Sequence, residues 1–378
     1  MTTVSPDPTD RTSGPLGALA AAGTSVWLDD LSRVTLTDNS LRDLITDRGV
    51  VGVTTNPAIF AKAMSTGTAY DTQLGSLRDG DSSAAEAVFA MAVDDVRDAC
   101  DLFADVNRAT DGVDGRVSLE VDPRLARDRE ATVSQALHLA AAVDRPDALM
   151  IKIPATEECL PAVTDVLAAG ISVNVTLIFS VARYQQVMKA FIEGIAAARE
   201  NGHDDISRIH SVASFFVSRV DTEIDARLDA AGTPEAAALK GKAGIANARL
   251  AYDAFRTGLL ENATWQELAE AGAHVQRPLW ASTSVKNPAY PDTMYVVELA
   301  GPQTVNTMPL DTLTATADHG EVTGDRLTGR RDESWAVFEQ LEEAGIELDD
   351  VFRVLEDEGV QKFVDAWTEL LEAIGERL

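Results

Sequence analysis

Lysine is scarce in this chain, with seven among 378 residues, and one of them sits inside the apolar run Leu149-Met150-Ile151-Lys152-Ile153-Pro154. A short β-branched run of this kind reads as a buried strand. Burying an ammonium is costly unless it is paired or neutralised, so Lys152 needs a reason to be there. A neutral, desolvated amine is the nucleophile that adds to a ketone and forms a Schiff base. Two acids occupy comparable places: Asp29 closes the run Ser25–Asp29, and Glu120 lies within Val117–Asp122. Such groups supply the proton transfers that carbinolamine dehydration and carbon–carbon cleavage require. The same three residues also admit a plainer reading, in which Lys152 is a structural ion-pair partner of Glu120 or Asp29.

Other polar residues fall near the ends of apolar runs. Asn56, Asn174, Thr176 and Ser214 are placed to hydrogen-bond a polyhydroxylated substrate or hold a water, although buried Asn and Ser also satisfy backbone groups. Arg219 and Lys286 follow the sixth and seventh runs, with Ser282 and Ser284 close by, and suit a phosphate; surface ion pairs are the alternative. The five histidines form no H-x-H or H-E-x-x-H pattern, and Cys100 and Cys159 have no partner at metal-ligand spacing. Neither G-x-G-x-x-G nor G-x-x-x-x-G-K-[ST] occurs. No metal, nucleotide or other cofactor is expected.

The elements that must position these side chains alternate regularly. Candidate strands are Ser25–Asp29, Val50–Asn56, Val117–Asp122, Ala148–Pro154, Ser172–Phe179, His210–Val217, Pro278–Thr283 and Thr304–Met308. Helical periodicity fills the intervals, as in Ala84–Val106, Pro123–Val143, Val181–Arg199 and Asn247–Leu260. Eight such repeats predict an α/β fold, a single (β/α)8 TIM barrel with additional helices, with a doubly wound open sheet as the alternative. Side-chain alternation sorts each strand: Val173, Val175 and Leu177 face the helices while Asn174 and Thr176 face inward, and Lys152 and Glu120 share the interior. The same rule selects Asp29 over its neighbour Asp30. The amphipathic segment Gln361–Ile374, with Phe363, Trp367, Leu370 and Leu371 on one face, packs outside the barrel or over one end.

Acidic residues outnumber basic ones by 61 to 32, a formal charge of −29, which disfavours nucleic acid and anionic lipid as partners. Residues 1–22, rich in Pro, Thr, Ser and Asp, read as a flexible tail, and residues 23–378 as the barrel with its C-terminal helix packed on it. The N-terminus lacks a secretory pattern and no apolar run spans a bilayer, so a cytoplasmic location is expected.

These residues resemble the transaldolase family, in its longer bacterial form. Gly52-Val53-Thr54-Thr55-Asn56-Pro57 is similar to that family's first signature, and Met150-Ile151-Lys152-Ile153-Pro154-Ala155-Thr156 to the segment holding its Schiff-base lysine. Val117–Asp122, Asn174–Ser180 and Thr304–Pro309 resemble further family segments in the same order. The resemblance implies transfer of a dihydroxyacetone unit between sugar phosphates in the non-oxidative pentose phosphate pathway. It implies Lys152 as nucleophile, Glu120 acting through a water held by Thr176, and Asp29 as the base at the C4 hydroxyl. It further implies Asn56, Asn174 and Ser214 at the dihydroxyacetone hydroxyls and Arg219 at phosphate. Many relatives carry Arg-Asn after the seventh strand, whereas this chain has Ser284-Val285-Lys286-Asn287, so Lys286 stands where a second phosphate ligand is expected. Two rival readings are a fructose 6-phosphate aldolase, a shorter enzyme lacking the glutamate, and a catalytically silent sugar-phosphate binder. The segment 221–276 is longer than a barrel connection needs, and a monomer or homodimer is expected.

Overall fold

The computed structural model describes residues 14–203 and 205–378. Eight parallel strands close into a barrel in sequence order: β1 Thr24–Leu28, β2 Gly52–Val53, β3 Arg116–Glu120, β4 Leu149–Pro154, β5 Val173–Ile178, β6 Ser211–Phe216, β7 Arg277–Ala281 and β8 Thr304–Met308. Pairing of β1 with β8 completes the circuit, which excludes the open sheet.

Alternation along the strands divides their side chains into two populations. Val26, Leu28, Val117, Leu119, Ile151, Ile153, Val173 and Val175 join the large core beneath the helices. Trp27, Met150, Val212, Leu279 and Val305 form a separate apolar cluster in the barrel interior. Below this layer, Arg277 pairs with Asp114 at 2.9 Å and donates to Ser25, closing the N-terminal end with polar groups. Above it lie the polar ends of the strands, where barrel enzymes carry their chemistry.

β2 is shorter than the expected Val50–Asn56. A Cβ on Gly52 would lie 2.5 Å from the Trp27 indole, so only glycine lets this strand pass the filled interior. Beyond β2, Thr55 leaves the backbone ladder and its hydroxyl donates to the Ser118 carbonyl at 2.7 Å. In β5 the regular alternation fails after Thr176. The pairing register with β6 shifts between Val175 and Ile178, and Leu177 adopts φ +61°, a left-handed conformation uncommon for a residue with a Cβ. Leu177 therefore packs with Phe179 and Phe216 at the barrel mouth, not among the outer helices with Val173 and Val175 as expected.

The N-terminal expectation also needs correction. Residues Gly14–Ala21 of the segment expected to be loose form a helix, with Leu16 and Leu19 buried at i, i+3 spacing. Residues 1–13 lie outside the described residues. The expected helix Ala84–Val106 breaks at Phe103 into Ala84–Leu102 and Ala104–Ala109. Pro123–Leu125 is a 3-10 turn before the helix Arg129–Val143, and Asn247–Leu260 divides into the end of Ala243–Ala254 and a π-helical turn. Within 221–276, the helix Ala243–Ala254 buttresses the barrel mouth: Asn247 donates to the Phe179 carbonyl at 2.7 Å, and Gly244 approaches the Val217 carbonyl. The C-terminal segment belongs to one long helix, Leu348–Gly375, which crosses that mouth; Gly359 seats against Phe179 and Leu177.

Candidate active site

A cavity of about 320 Å³ opens at the C-terminal ends of the strands and is lined by Asp29, Asn56, Lys152, Thr176, Ser214, Arg219 and Lys286, among others. Seven of the nine residues singled out in the sequence therefore face one space. Glu120 and Asn174 stand immediately behind the lining.

Lys152 is buried, and its Nζ lies 3.2 Å from Glu120 Oε2 while donating to the Thr55 carbonyl at 2.9 Å. The departure of Thr55 from the ladder is what frees that carbonyl. Neither Glu120 oxygen receives a well-directed hydrogen bond. Burial pushes the Glu120 carboxyl up to about 7, against the opposing pull of Lys152. A carboxyl so placed titrates near neutral pH.

Asp29 sits across the cavity and accepts from the Thr54 hydroxyl at 2.7 Å, which in turn lies 2.7 Å from the Thr307 hydroxyl. Desolvation raises its carboxyl above the ordinary range, while Lys152 and Thr54 oppose the rise. Asp30 does not line the cavity, consistent with the alternation of β1.

Thr176 is fully buried and its hydroxyl has no hydrogen-bond partner within the protein. On the lining it is free to hold a water or a substrate hydroxyl. Asn174 is committed internally: its amide donates to Ser118 Oγ at 3.0 Å and its oxygen accepts from Ser214 Oγ at 2.7 Å. It acts as a strut for Ser214. Asn56 is committed in part, because Oδ1 caps the helix Pro57–Ser65 by accepting from the Ile59 N–H at 3.1 Å, leaving its amide hydrogens available.

The cations differ in setting. Arg219 lies over Phe216, 5.0 Å from the ring centroid, with Nη1 buried and unpartnered; burial holds its guanidinium below the usual range. Lys286 is on the rim and donates to Ser284 Oγ at 2.7 Å. Ser218 and Ser282 hydroxyls meet at 2.9 Å between them, and Ser282 has φ +55°.

Sequence reading missed Thr54, Thr307 and Lys362 as lining residues. Thr54 carries a signal, since it stands within the Gly52–Pro57 motif, and Thr307 alternates inward with Val305. Lys362 carries none, because nothing local says where the last helix docks. Phe363 beside it was expected on an apolar face and sits over the site, its ring centroid 5.5 Å from Lys152 Nζ. Among the described residues no group of three or more His, Cys, Asp or Glu is arranged to hold a metal ion, and Cys100 and Cys159 are both buried and free.

Fold and site together define a (β/α)8-barrel protein with a cavity lined by Lys152, Asp29 and several cationic side chains at the C-terminal ends of its strands. Residues 26–374 match the family model for transaldolase/fructose-6-phosphate aldolase, and the chain belongs to that family. It is similar to the transaldolase of Mycolicibacterium smegmatis, 59% identical over 358 residues that cover 95% of this chain and 96% of the relative. The transaldolase of Mycolicibacterium paratuberculosis is 57% identical over 363 residues, covering 96% and 97%. That of Renibacterium salmoninarum is 57% identical over 360 residues, covering 95% and 96%.

Proposed function

We propose that the protein is a transaldolase, moving a dihydroxyacetone unit from sedoheptulose 7-phosphate to glyceraldehyde 3-phosphate to give erythrose 4-phosphate and fructose 6-phosphate. The observation that carries the reading is the buried Lys152–Glu120 pair at 3.2 Å, whose lysine lines the cavity together with Asp29 and Arg219.

The reaction follows from these positions. Transfer of the shared proton to Glu120 leaves a neutral amine, which attacks the ketose C2. Glu120, through a water held by Thr176, returns that proton as the carbinolamine loses water. The resulting iminium draws electrons from the C3–C4 bond while Asp29 takes the proton of the C4 hydroxyl. The first aldehyde departs and a three-carbon enamine remains on Lys152. An acceptor aldehyde then forms the new bond by the reverse steps, and hydrolysis frees the product. Asn56 and Ser214 hold the hydroxyls of the three-carbon unit, with Asn174 fixing Ser214. Arg219 takes the phosphate as a guanidinium fork and Lys286 supports it as a point charge.

This chemistry belongs to the non-oxidative pentose phosphate pathway, in the cytoplasm. No helix among the described residues is long and apolar enough to cross a membrane, and the charge of −29 favours neither nucleic acid nor an anionic bilayer. Sugar phosphates are the partners, and the protein acts as a monomer or homodimer.

Borohydride reduction with fructose 6-phosphate, followed by peptide mass mapping, tests the reading. A three-carbon adduct on Lys152 is expected; an adduct elsewhere, or none, defeats it. Free dihydroxyacetone released at the turnover rate without acceptor would instead favour the aldolase activity that the family also includes.

A further inference from the structure

The helix Leu348–Gly375 brings Trp367 against Phe89, with ring centroids 5.0 Å apart, and leaves the indole Nε1 buried without an acceptor in the protein. Glu120 presents the complementary case, two buried carboxylate oxygens without a well-directed donor. Both residues line one small cavity of about 10 Å³, together with Asn56, Phe60 and Leu119. That volume is close to the roughly 10–15 Å³ one internal water requires, and such waters normally have two to four polar partners. Three are on the walls. Trp367 offers an N–H, Asn56 offers amide hydrogens because its oxygen caps a helix, and Glu120 can only accept when ionised.

We propose that Trp367 is a positioning residue for Glu120, donating its indole N–H through one buried water to the carboxylate. The water accepts from Trp367 and Asn56 and donates to Glu120, so the indole N–H and a carboxylate oxygen both gain partners. A donor aimed at the carboxylate favours its charged form, offsetting part of the desolvation that acts on it. The charged groups facing Glu120 are Lys152 and, farther off, Asp29. On this account the C-terminal helix is part of the proton machinery as well as a cover for the site. The inference rests on the reading of Glu120 as the proton carrier for Lys152.

Trp367→Phe keeps a ring against Phe89 and removes the donor. The rate of forming the borohydride-trapped adduct with fructose 6-phosphate should lose its acid limb at a pH about one unit higher, with KM unchanged, since losing a hydrogen bond to the ionised form raises a carboxyl's pKa. Trp367→His, which restores a ring N–H, should move the limb part of the way back. In a Glu120→Gln background, Trp367→Phe should add no further loss. An unmoved limb, or the same fold-loss in both backgrounds, overturns the inference even if the variant melts earlier. Absence of any adduct in the unmodified protein would remove the lysine chemistry itself and this inference with it.

Discussion

Glu120 and Lys152 are registered directly opposite one another in the β3–β4 pairing, and that register leaves their side chains 3.2 Å apart inside the barrel. Both face inward on neighbouring strands, so the ladder holds their Cα positions side by side. Their coupling is thus a property of the backbone.

Burial raises the Glu120 carboxyl to about 7, so below that pH it is protonated and cannot accept a proton from Lys152. The adduct-forming rate should fall as pH drops through about 7, because protonated Glu120 no longer serves as the base that adduct formation needs. Glu120→Gln should remove this limb and slow adduct formation by about 10²-fold or more. A pH-independent rate between 5 and 8 in the unmodified protein would contradict the assignment.

Lys152→Arg keeps a cation beside Glu120 but cannot form an imine, since guanidinium stays protonated. Turnover and trapping should vanish while circular dichroism remains unchanged. Residual turnover with the variant would reject Lys152 as nucleophile.

Asp29→Asn retains an acceptor for Thr54 and loses the base. Rapid-quench trapping should find the six-carbon adduct accumulating while product release slows by about 10²-fold. Equal losses in adduct formation and release would place Asp29 in the imine step instead.

The two phosphate cations should differ in weight. Arg219→Met removes a largely desolvated guanidinium and should raise KM for fructose 6-phosphate by about 10- to 100-fold, the worth of charge-assisted hydrogen bonds. Lys286→Met removes an exposed ammonium and should cost under about fivefold. Steady-state kinetics on both variants decide it, and the opposite order would move the phosphate to the rim.

Gly52→Ala sets a Cβ 2.5 Å from the Trp27 ring in the barrel interior. Overpacking of this kind costs about 1–3 kcal/mol, readable as a lower urea midpoint. An unchanged midpoint would mean that Trp27 can yield, though its Nε1 is tied to Asp114 at 3.1 Å.

Much of this was legible along the chain because strand alternation is a local property. Lys152, Asp29 and Thr176 were assigned inward by counting residues, and the structure places all three on the cavity. The count failed at Leu177, where a register shift against β6 reverses the facing of one residue. It turned Asn174 inward as well but could not name its partners, because Ser118 and Ser214 come from strands on either side of it in the barrel. Gly14–Ala21 was read with the tail because the Thr, Ser and Asp of residues 1–13 set the composition of that segment, whereas its own residues are apolar and its two leucines are buried once the barrel closes.

The sequence by itself determined the repeat of strand and helix, the inward side of each strand and the identity of the amine and its acids. These are set by periodicity and side-chain chemistry over a few residues. Only the tertiary structure decided that Lys152 meets Glu120 at ion-pair distance, that Asn56 spends its oxygen on a helix cap, and that Phe363 and Trp367 close over the site. Each depends on where distant segments dock, and docking follows from burying apolar surface across the whole barrel, a constraint no short stretch of residues contains.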